Sequence, residues 1–154
     1  MFSLLIVCAV GLQSYRDLQI ADYVKQQTEI SEGIIRTSSE LLSELKDVES
    51  GKRGFLLTGK EEYLEHYNDA ASDIPLLVER LKLYAVHRPD QLENIRKVEP
   101  FMLGKMAELR HTIELKRSGN EREALRVLDS GQGKRLMDEI RSRIDAIDPS
   151  EKAS

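Results

Sequence analysis

The stretch Val48-Glu-Ser-Gly-Lys-Arg-Gly-Phe-Leu-Leu-Thr-Gly59, followed by Lys-Glu-Glu-Tyr-Leu-Glu-His-Tyr67, decides the fold of this chain. Gly51 and Gly54 lie three residues apart, so on a helix they share one face and let a neighbouring backbone approach closely. Gly59 stands where a helix would end in the left-handed conformation. Glu61 and Glu62 follow where a new helix favours negative charge. The stretch therefore predicts a tight joint between two long helices.

The same residues carry a family resemblance. The pattern acid-x-Gly-x-Arg-Gly-aromatic-Leu-Leu-Thr-Gly, which includes Phe55 and Thr58, resembles the signature of CHASE domains of the third type. The resemblance continues through Lys105–Ile113 and Gly131–Arg141 and covers about residues 20 to 147. Such domains are extracytoplasmic sensors of bacterial histidine kinases, cyclases and chemoreceptors. The resemblance implies a homodimer on the periplasmic side of the inner membrane, with the joint at the bundle end furthest from the membrane.

Glu49 and Arg53 lie within the joint at i,i+4, in the acid-first order that suits a helical ion pair. If this segment packs inside the bundle end, Arg53 is partly buried and needs further acceptors, such as Glu108 or a helix-end carbonyl. We favour a structural interpretation in which the pair locks the joint. Direct ligand contact and a plain surface ion pair are the alternatives.

Composition indicates one helical domain of 154 residues. Aromatic residues are few, Trp is absent and charged residues make up 32% of the chain, which is typical of helical bundles. The net charge of -4 is distributed over both signs without a basic stripe, which disfavours nucleic acid as a partner. Cys8 is the only cysteine, so an internal disulfide and a haem attachment motif are excluded.

The run Phe2–Leu12 is apolar except for Ser3, but as a helix it rises only about 16 Å, roughly half of a bilayer core. No Lys or Arg precedes it, as a signal peptide would require. We interpret residues 1–14 as part of a transmembrane helix; a signal segment or a helix end that packs on a partner are alternatives. Residues 15–148 are expected to form the bundle and 149–154 a polar tail, within a larger receptor whose output module lies elsewhere.

Helical periodicity is strong and strand signals are weak, which predicts an all-α, antiparallel up-down-up-down four-helix bundle with a long, membrane-proximal first helix. The helices are expected at 2–58, 60–86, 90–118 and 121–147. Gly119 is expected to close the third helix, and Asn120 with Glu123 forms a predicted capping box for the fourth. The predicted buried stripes are Ile20, Val24, Ile34, Leu41, Leu45, Val48 and Phe55 in the first helix; Tyr63, Tyr67, Ala70, Ile74, Leu77, Leu81 and Tyr84 in the second; Leu92, Ile95, Met102, Met106, Leu109 and Ile113 in the third; and Leu125, Leu128, Met137, Ile140, Ile144 and Ile147 in the fourth.

Polar residues interrupt these stripes. Gln27, Ser31, Ser38 and Lys52 fall on the stripe of the first helix. The first three lie nearer the membrane, and they indicate either a loosened bundle end, solvated or paired with another subunit, or a polar crevice for a small ligand. Glu99 falls on the stripe of the third helix, where it is either tilted to solvent or held by a cation. The candidate ligand-binding or signal-relay residues are Glu49, Arg53, Glu108, Gln27, Ser31 and Ser38, and the structural motif is Gly51, Gly54, Phe55, Thr58 and Gly59.

Catalytic motifs occur only as fragments. Glu108-Leu-Arg-His111 is a Glu-x-x-His step, but di-iron bundles need two such steps and two further glutamates. Gly131-Gln-Gly-Lys-Arg135 lacks the spacing and the following Ser or Thr of a phosphate loop. We therefore expect no catalytic residue, metal or cofactor. The family resemblance implies a sensor, which we expect to relay its stimulus through helix displacement. A membrane-anchored helical adaptor for a partner protein and a metal- or cofactor-carrying enzyme are the alternatives.

Overall fold

A computed structural model describes residues 2–147 of the chain, with side-chain environments from Gln13 onward except at position 14. Met1 and the predicted tail at 149–154 lie outside the described residues, as do the side chains of the predicted membrane segment up to residue 12. The described part is an all-α four-helix bundle. Its helices are α1 (Phe2–Thr58), α2 (Glu62–Tyr84), α3 (Pro89–Arg117), α4 (Glu121–Asp129) and α5 (Gln132–Asp145). The short helices α4 and α5 together form the fourth segment of the bundle.

Helix α1 is far longer than its neighbours. Its 57 residues rise about 85 Å, whereas the 23 residues of α2 rise about 35 Å. Ile34, Leu41 and Leu45 are buried as predicted, but Ile20 and Val24 are 57% and 54% exposed. Their predicted burial is wrong because this part of α1 extends past the α2–α3 connection, where none of the other described helices covers it. Among the described residues, none of the helices contains an apolar stretch sufficient to cross a membrane.

The core is a single apolar cluster to which α1, α2, α3 and α5 all contribute. Helix α1 packs most extensively against α2, and α3 against α5, so the bundle consists of two close hairpins that face one another. The predicted stripes of α2 and α3 are largely buried, although Tyr63 remains 38% exposed. The buried apolar residues of α2, α3 and α5 include Leu64, Tyr67, Ala70, Ile74, Leu77, Leu81, Ile95, Val98, Met102, Leu109, Ile113, Met137, Ile140 and Ile144.

The fourth segment of the bundle, residues 121–147, differs from the prediction in two ways. A single helix over 121–147 was expected, but Gly131 adopts a left-handed conformation with φ 69° and separates α4 from α5. The predicted capping box does not form, because the Asn120 amide donates to Ser118 Oγ and the Glu123 carboxylate pairs with Arg126. Because the break changes the register, Leu125 and Leu128 are exposed and Ala124 is the buried residue of α4.

Candidate functional site

The joint between α1 and α2 is built as its glycines predict. A Cβ on Gly51 would lie 2.7 Å from the Tyr63 carbonyl oxygen, and a Cβ on Gly54 would collide with the Tyr63 ring. Gly59 has φ 71° and its N–H donates to the Phe55 carbonyl at 2.8 Å, which ends α1. Gly51 therefore admits the backbone of the first turn of α2 at a separation that no side chain would allow, and Gly54 makes room for the Tyr63 ring.

Polar contacts hold the two sides of this joint together. The Thr58 hydroxyl donates to the Gly54 carbonyl at 2.7 Å and accepts from the Lys60 N–H at 3.2 Å. The Arg117 guanidinium, at the end of α3, donates to both oxygens of the Glu61 carboxylate at 3.0 and 2.6 Å and lies 5.8 Å from the centre of the Phe55 ring. These contacts bring the ends of α1 and α3 together at one end of the bundle.

A buried ionic cluster lies on the inward side of the joint. Lys52 Nζ of α1 donates to Glu108 Oε1 of α3 at 3.0 Å, and Lys105 Nζ donates to Glu108 Oε2 at 3.3 Å. Lys105 Nζ also donates to the Gly133 carbonyl of α5 at 3.2 Å. The side chains of Lys52, Lys105 and Glu108 are only 1%, 0% and 2% exposed. The cluster therefore links α1, α3 and α5 through charged groups that water does not reach.

The environment of the cluster shapes its electrostatics. Burial lowers the pKa of Lys52, and the neighbouring Glu108 carboxylate opposes that shift. The Thr112 hydroxyl contributes further polar contact, 2.7 Å from the Glu108 carbonyl and 3.3 Å from Glu108 Oε1. A Cβ on Gly133 would lie 2.9 Å from both Glu108 Oε2 and Lys105 Nζ, so any side chain at this position would displace these two charged groups. The close start of α5 thus closes the cluster from the third side.

Glu49 connects the buried cluster to the surface. Its Oε1 lies 3.9 Å from Lys105 Nζ and accepts from Arg53 Nη2 at 2.9 Å. The predicted i,i+4 pair is therefore present, but the expectation that Arg53 is partly buried and reaches Glu108 is wrong, because its side chain is 62% exposed. Lys52, one residue earlier, faces inward and binds Glu108. One residue corresponds to a rotation of about 100° on a helix, which separates the two basic side chains.

Sequence reasoning placed Lys52 on the buried stripe but did not identify Lys105 as its companion. A signal for Lys105 existed in the spacing of α3. Lys105 lies three residues after Met102 and four before Leu109, both buried, which places it on the same inward face. A lysine on that face three residues before Glu108 indicates an internal ion pair.

The structure places the polar residues nearer the N-terminus of α1 in two different environments. Arg88, at the start of α3, donates to Gln27 Oε1 at 2.5 Å and to Ser31 Oγ at 3.2 Å, so these two residues share one partner. Ser38 lies further inside, 6% exposed, and its Oγ has no hydrogen-bond partner among the described residues; Thr37 Oγ1 is in the same situation. Glu99, the other polar residue on a stripe, is held by the Lys82 ammonium.

The described residues include no group of three or more His, Cys, Asp or Glu side chains arranged to hold a metal ion. The Glu-x-x-His step does not form a metal-binding pair, since Glu108 is buried in the ionic cluster whereas His111 is exposed. The charged groups that meet at this site are ammonium and carboxylate groups of the chain itself.

Comparisons with known proteins agree with this architecture. The family model of the CHASE3 domain matches residues 24–153. The crystal structure of the Rhodopseudomonas palustris histidine kinase HK9 sensor domain is similar to this chain, with a TM-score of 0.70 and 27% sequence identity. The similarity covers 78% of this chain and 94% of that one. No curated protein matches.

Proposed function

This chain belongs to the CHASE3 domain family, and we propose that it relays its stimulus along α1 from the ionic cluster of Lys52, Lys105 and Glu108. It is an extracytoplasmic sensory domain of a signalling receptor. We place it on the periplasmic side of a bacterial inner membrane, in a receptor whose output module is a histidine kinase, a cyclase or a chemoreceptor signalling domain. The domain itself carries no catalysis in this proposal.

One observation carries the proposal. The cluster ties α1 to α3 and α5 near the joint, and α1 continues from there without a break to Phe2. A helix is stiff along its axis, so a change in how α3 packs against α1 is transmitted to the N-terminal part of α1. A shift of an ångström or two suffices if the packing has two alternative arrangements and the stimulus favours one of them.

Dimerisation forms part of the same proposal. The projecting part of α1 exposes large apolar side chains, with Tyr15, Leu18 and Tyr23 each more than 60% exposed. Pairing with α1 of a second copy would cover them, as the apolar seams of coiled coils are covered. Sedimentation velocity of the whole chain tests this directly. We expect a dimer that Leu18→Asp converts to a monomer, while Leu57→Asp, an exposed change at the other end of α1, leaves it intact.

The relay is tested by removing the ionic link without unfolding the bundle. Residues 2–147 replace the sensor domain of a membrane-bound histidine kinase, and autophosphorylation is measured in isolated membranes. The test variant combines Lys52→Met, Lys105→Met and Glu108→Leu, which replaces the buried charges with apolar side chains of similar size. Lys46→Met, at an exposed position of α1, is the matched control.

A second readout follows α1 itself. In a Cys8→Ser background, Gln26→Cys on the projecting part of α1 reports the helix position by disulfide cross-linking between copies. We expect the triple variant to change both the cross-linked fraction and the kinase activity, and the control to change neither. A folded triple variant with wild-type values of both would refute the relay.

A further inference from the structure

A groove opens between α2 and α3, on the boundary between the two hairpins. It encloses about 330 Å³, within the range of small-molecule sites. Its floor is apolar and is formed by Ile74 and Val78 of α2 and by Met102 and Met106 of α3. Methionine side chains adapt their shape to irregular apolar bodies. The floor therefore suits a hydrocarbon group rather than a polar one.

The charged groups at the groove are acidic. Glu79 and Glu99 both line it, whereas no Lys or Arg is among its lining residues. These two carboxylates share the ammonium of Lys82, whose Nζ lies 2.9 Å from Glu79 Oε1 and also contacts Glu99. One ammonium neutralises one carboxylate, so a net negative charge and free acceptor oxygens remain beside an apolar floor.

We infer that this groove binds a small amphipathic organic cation, a primary amine with an aromatic or short alkyl body. The hydrocarbon body lies on the methionine floor, and the ammonium donates to the carboxylates of Glu79 and Glu99. Such a ligand complements both the shape and the charge of the groove. The inference adds a ligand class to the proposed sensory function, and it rests on that function only for the signalling consequence.

The surroundings of the groove favour a response to a ligand. Pro75 lines it, and Pro100 lies next to Glu99. Each proline removes one helical hydrogen bond, so α2 and α3 both deform most easily beside the groove. A ligand placed there would separate the two hairpins at the level where each of these helices lacks one backbone hydrogen bond.

Isothermal titration calorimetry of the whole chain tests the inference. The probes are phenethylammonium and hexylammonium, compared with the neutral alcohols and the carboxylates of the same hydrocarbon bodies. We expect saturable binding of the ammonium compounds, about tenfold tighter than the alcohols, and no binding of the carboxylates. Failure of both ammonium probes to bind, or equal affinity for all three head groups, would overturn the inference.

Two charge variants with opposite expected effects sharpen the test. Glu99→Gln removes a carboxylate and should weaken ammonium binding about tenfold, whereas Lys82→Gln removes the competing ammonium and should strengthen it. Affinity that does not move in these opposite directions contradicts the assignment.

A steric pair of variants locates the binding. Leu103→Trp fills the groove from its exposed rim and should abolish binding, while Leu125→Trp, on the exposed face of α4, should not. If Leu103→Trp instead changes the oligomeric state, the groove is covered by protein and the inference is wrong. Calorimetry measures binding in the groove whether or not α1 relays a signal. A failure of the ligand inference is therefore distinguishable from a failure of the proposed relay.

Discussion

Replacing Glu108 with leucine is the most direct test of the buried ionic cluster. Glu108 is the carboxylate that both Lys52 and Lys105 contact, at 3.0 and 3.3 Å. In Glu108→Leu, Lys105 keeps the Gly133 carbonyl at 3.2 Å and Glu49 at 3.9 Å. Lys52 loses the one hydrogen-bond acceptor that it has among the described residues. The variant thus leaves an unpaired ammonium in a site that is 1% exposed.

Two independent estimates give the size of the effect. Breaking a buried ion pair by removing one partner costs about 3–5 kcal/mol. The alternative for the chain is to deprotonate Lys52, and at pH 7 this costs about 4.6 kcal/mol for a lysine whose unfolded pKa is about 10.4. We therefore expect the free energy of unfolding to fall by about 3–5 kcal/mol at pH 7. Because deprotonation becomes easier by about 1.4 kcal/mol for each pH unit, the loss should shrink markedly at pH 9.

Urea denaturation followed by circular dichroism, at pH 7 and pH 9, measures this loss. Glu114→Leu, at an exposed position of α3, is the control for the change of helix propensity and surface polarity. The triple apolar variant supplies the complementary comparison, because replacing a whole buried ionic group with apolar residues is often neutral or stabilising. A loss below about 1 kcal/mol at pH 7, or one that is equal at both pH values, would refute the interpretation that buried charge governs this site.

Three further predictions address single residues. Burial lowers the pKa of Lys52 in the folded chain, so between that pKa and the unfolded value of about 10.4 the unfolded chain binds more protons. Wild-type stability should therefore rise relative to Lys52→Met as pH increases through this range. Parallel pH profiles of the two proteins in urea titrations would contradict this prediction. Gly51→Ala forces a methyl group against the Tyr63 carbonyl and should lower the free energy of unfolding by about 1–3 kcal/mol. Gly54→Ala should cost less, because the partly exposed Tyr63 ring can move. The reverse order of the two variants in thermal unfolding would show that the backbone contact is not limiting. Arg53→Ala should cost less than about 0.5 kcal/mol, because the side chain is 62% exposed, and a larger loss in urea would restore a locking role for the Glu49 pair.

The sequence was sufficient for the joint because its signals are local. Gly59 must adopt a positive φ, and Gly51 and Gly54 share a face whatever their partners are. The apolar stripe of α1 also placed Lys52 on the inward face. It did not show that Arg53, one helical position away, turns out to solvent, since only the packing of α1 fixes its rotation. The break at Gly131 was missed because a lone glycine within an apolar rhythm is compatible with a continuous helix. The close approach of Gly133 to Glu108 is a tertiary contact that no local pattern encodes.

The groove and the ionic cluster lie on adjoining sides of the same short segment of α3. Met102 and Met106 line the groove, while Lys105 and Glu108 hold the cluster, all within two turns of helix. A close-packed helix cannot move on one face without moving on the other. We therefore expect a ligand that widens the groove to displace Glu108 from Lys52, which leaves a buried ammonium without its carboxylate. That cost opposes small displacements, so the boundary between the hairpins favours two discrete packings over gradual deformation. The unbroken α1 would shift its position when one packing changes to the other.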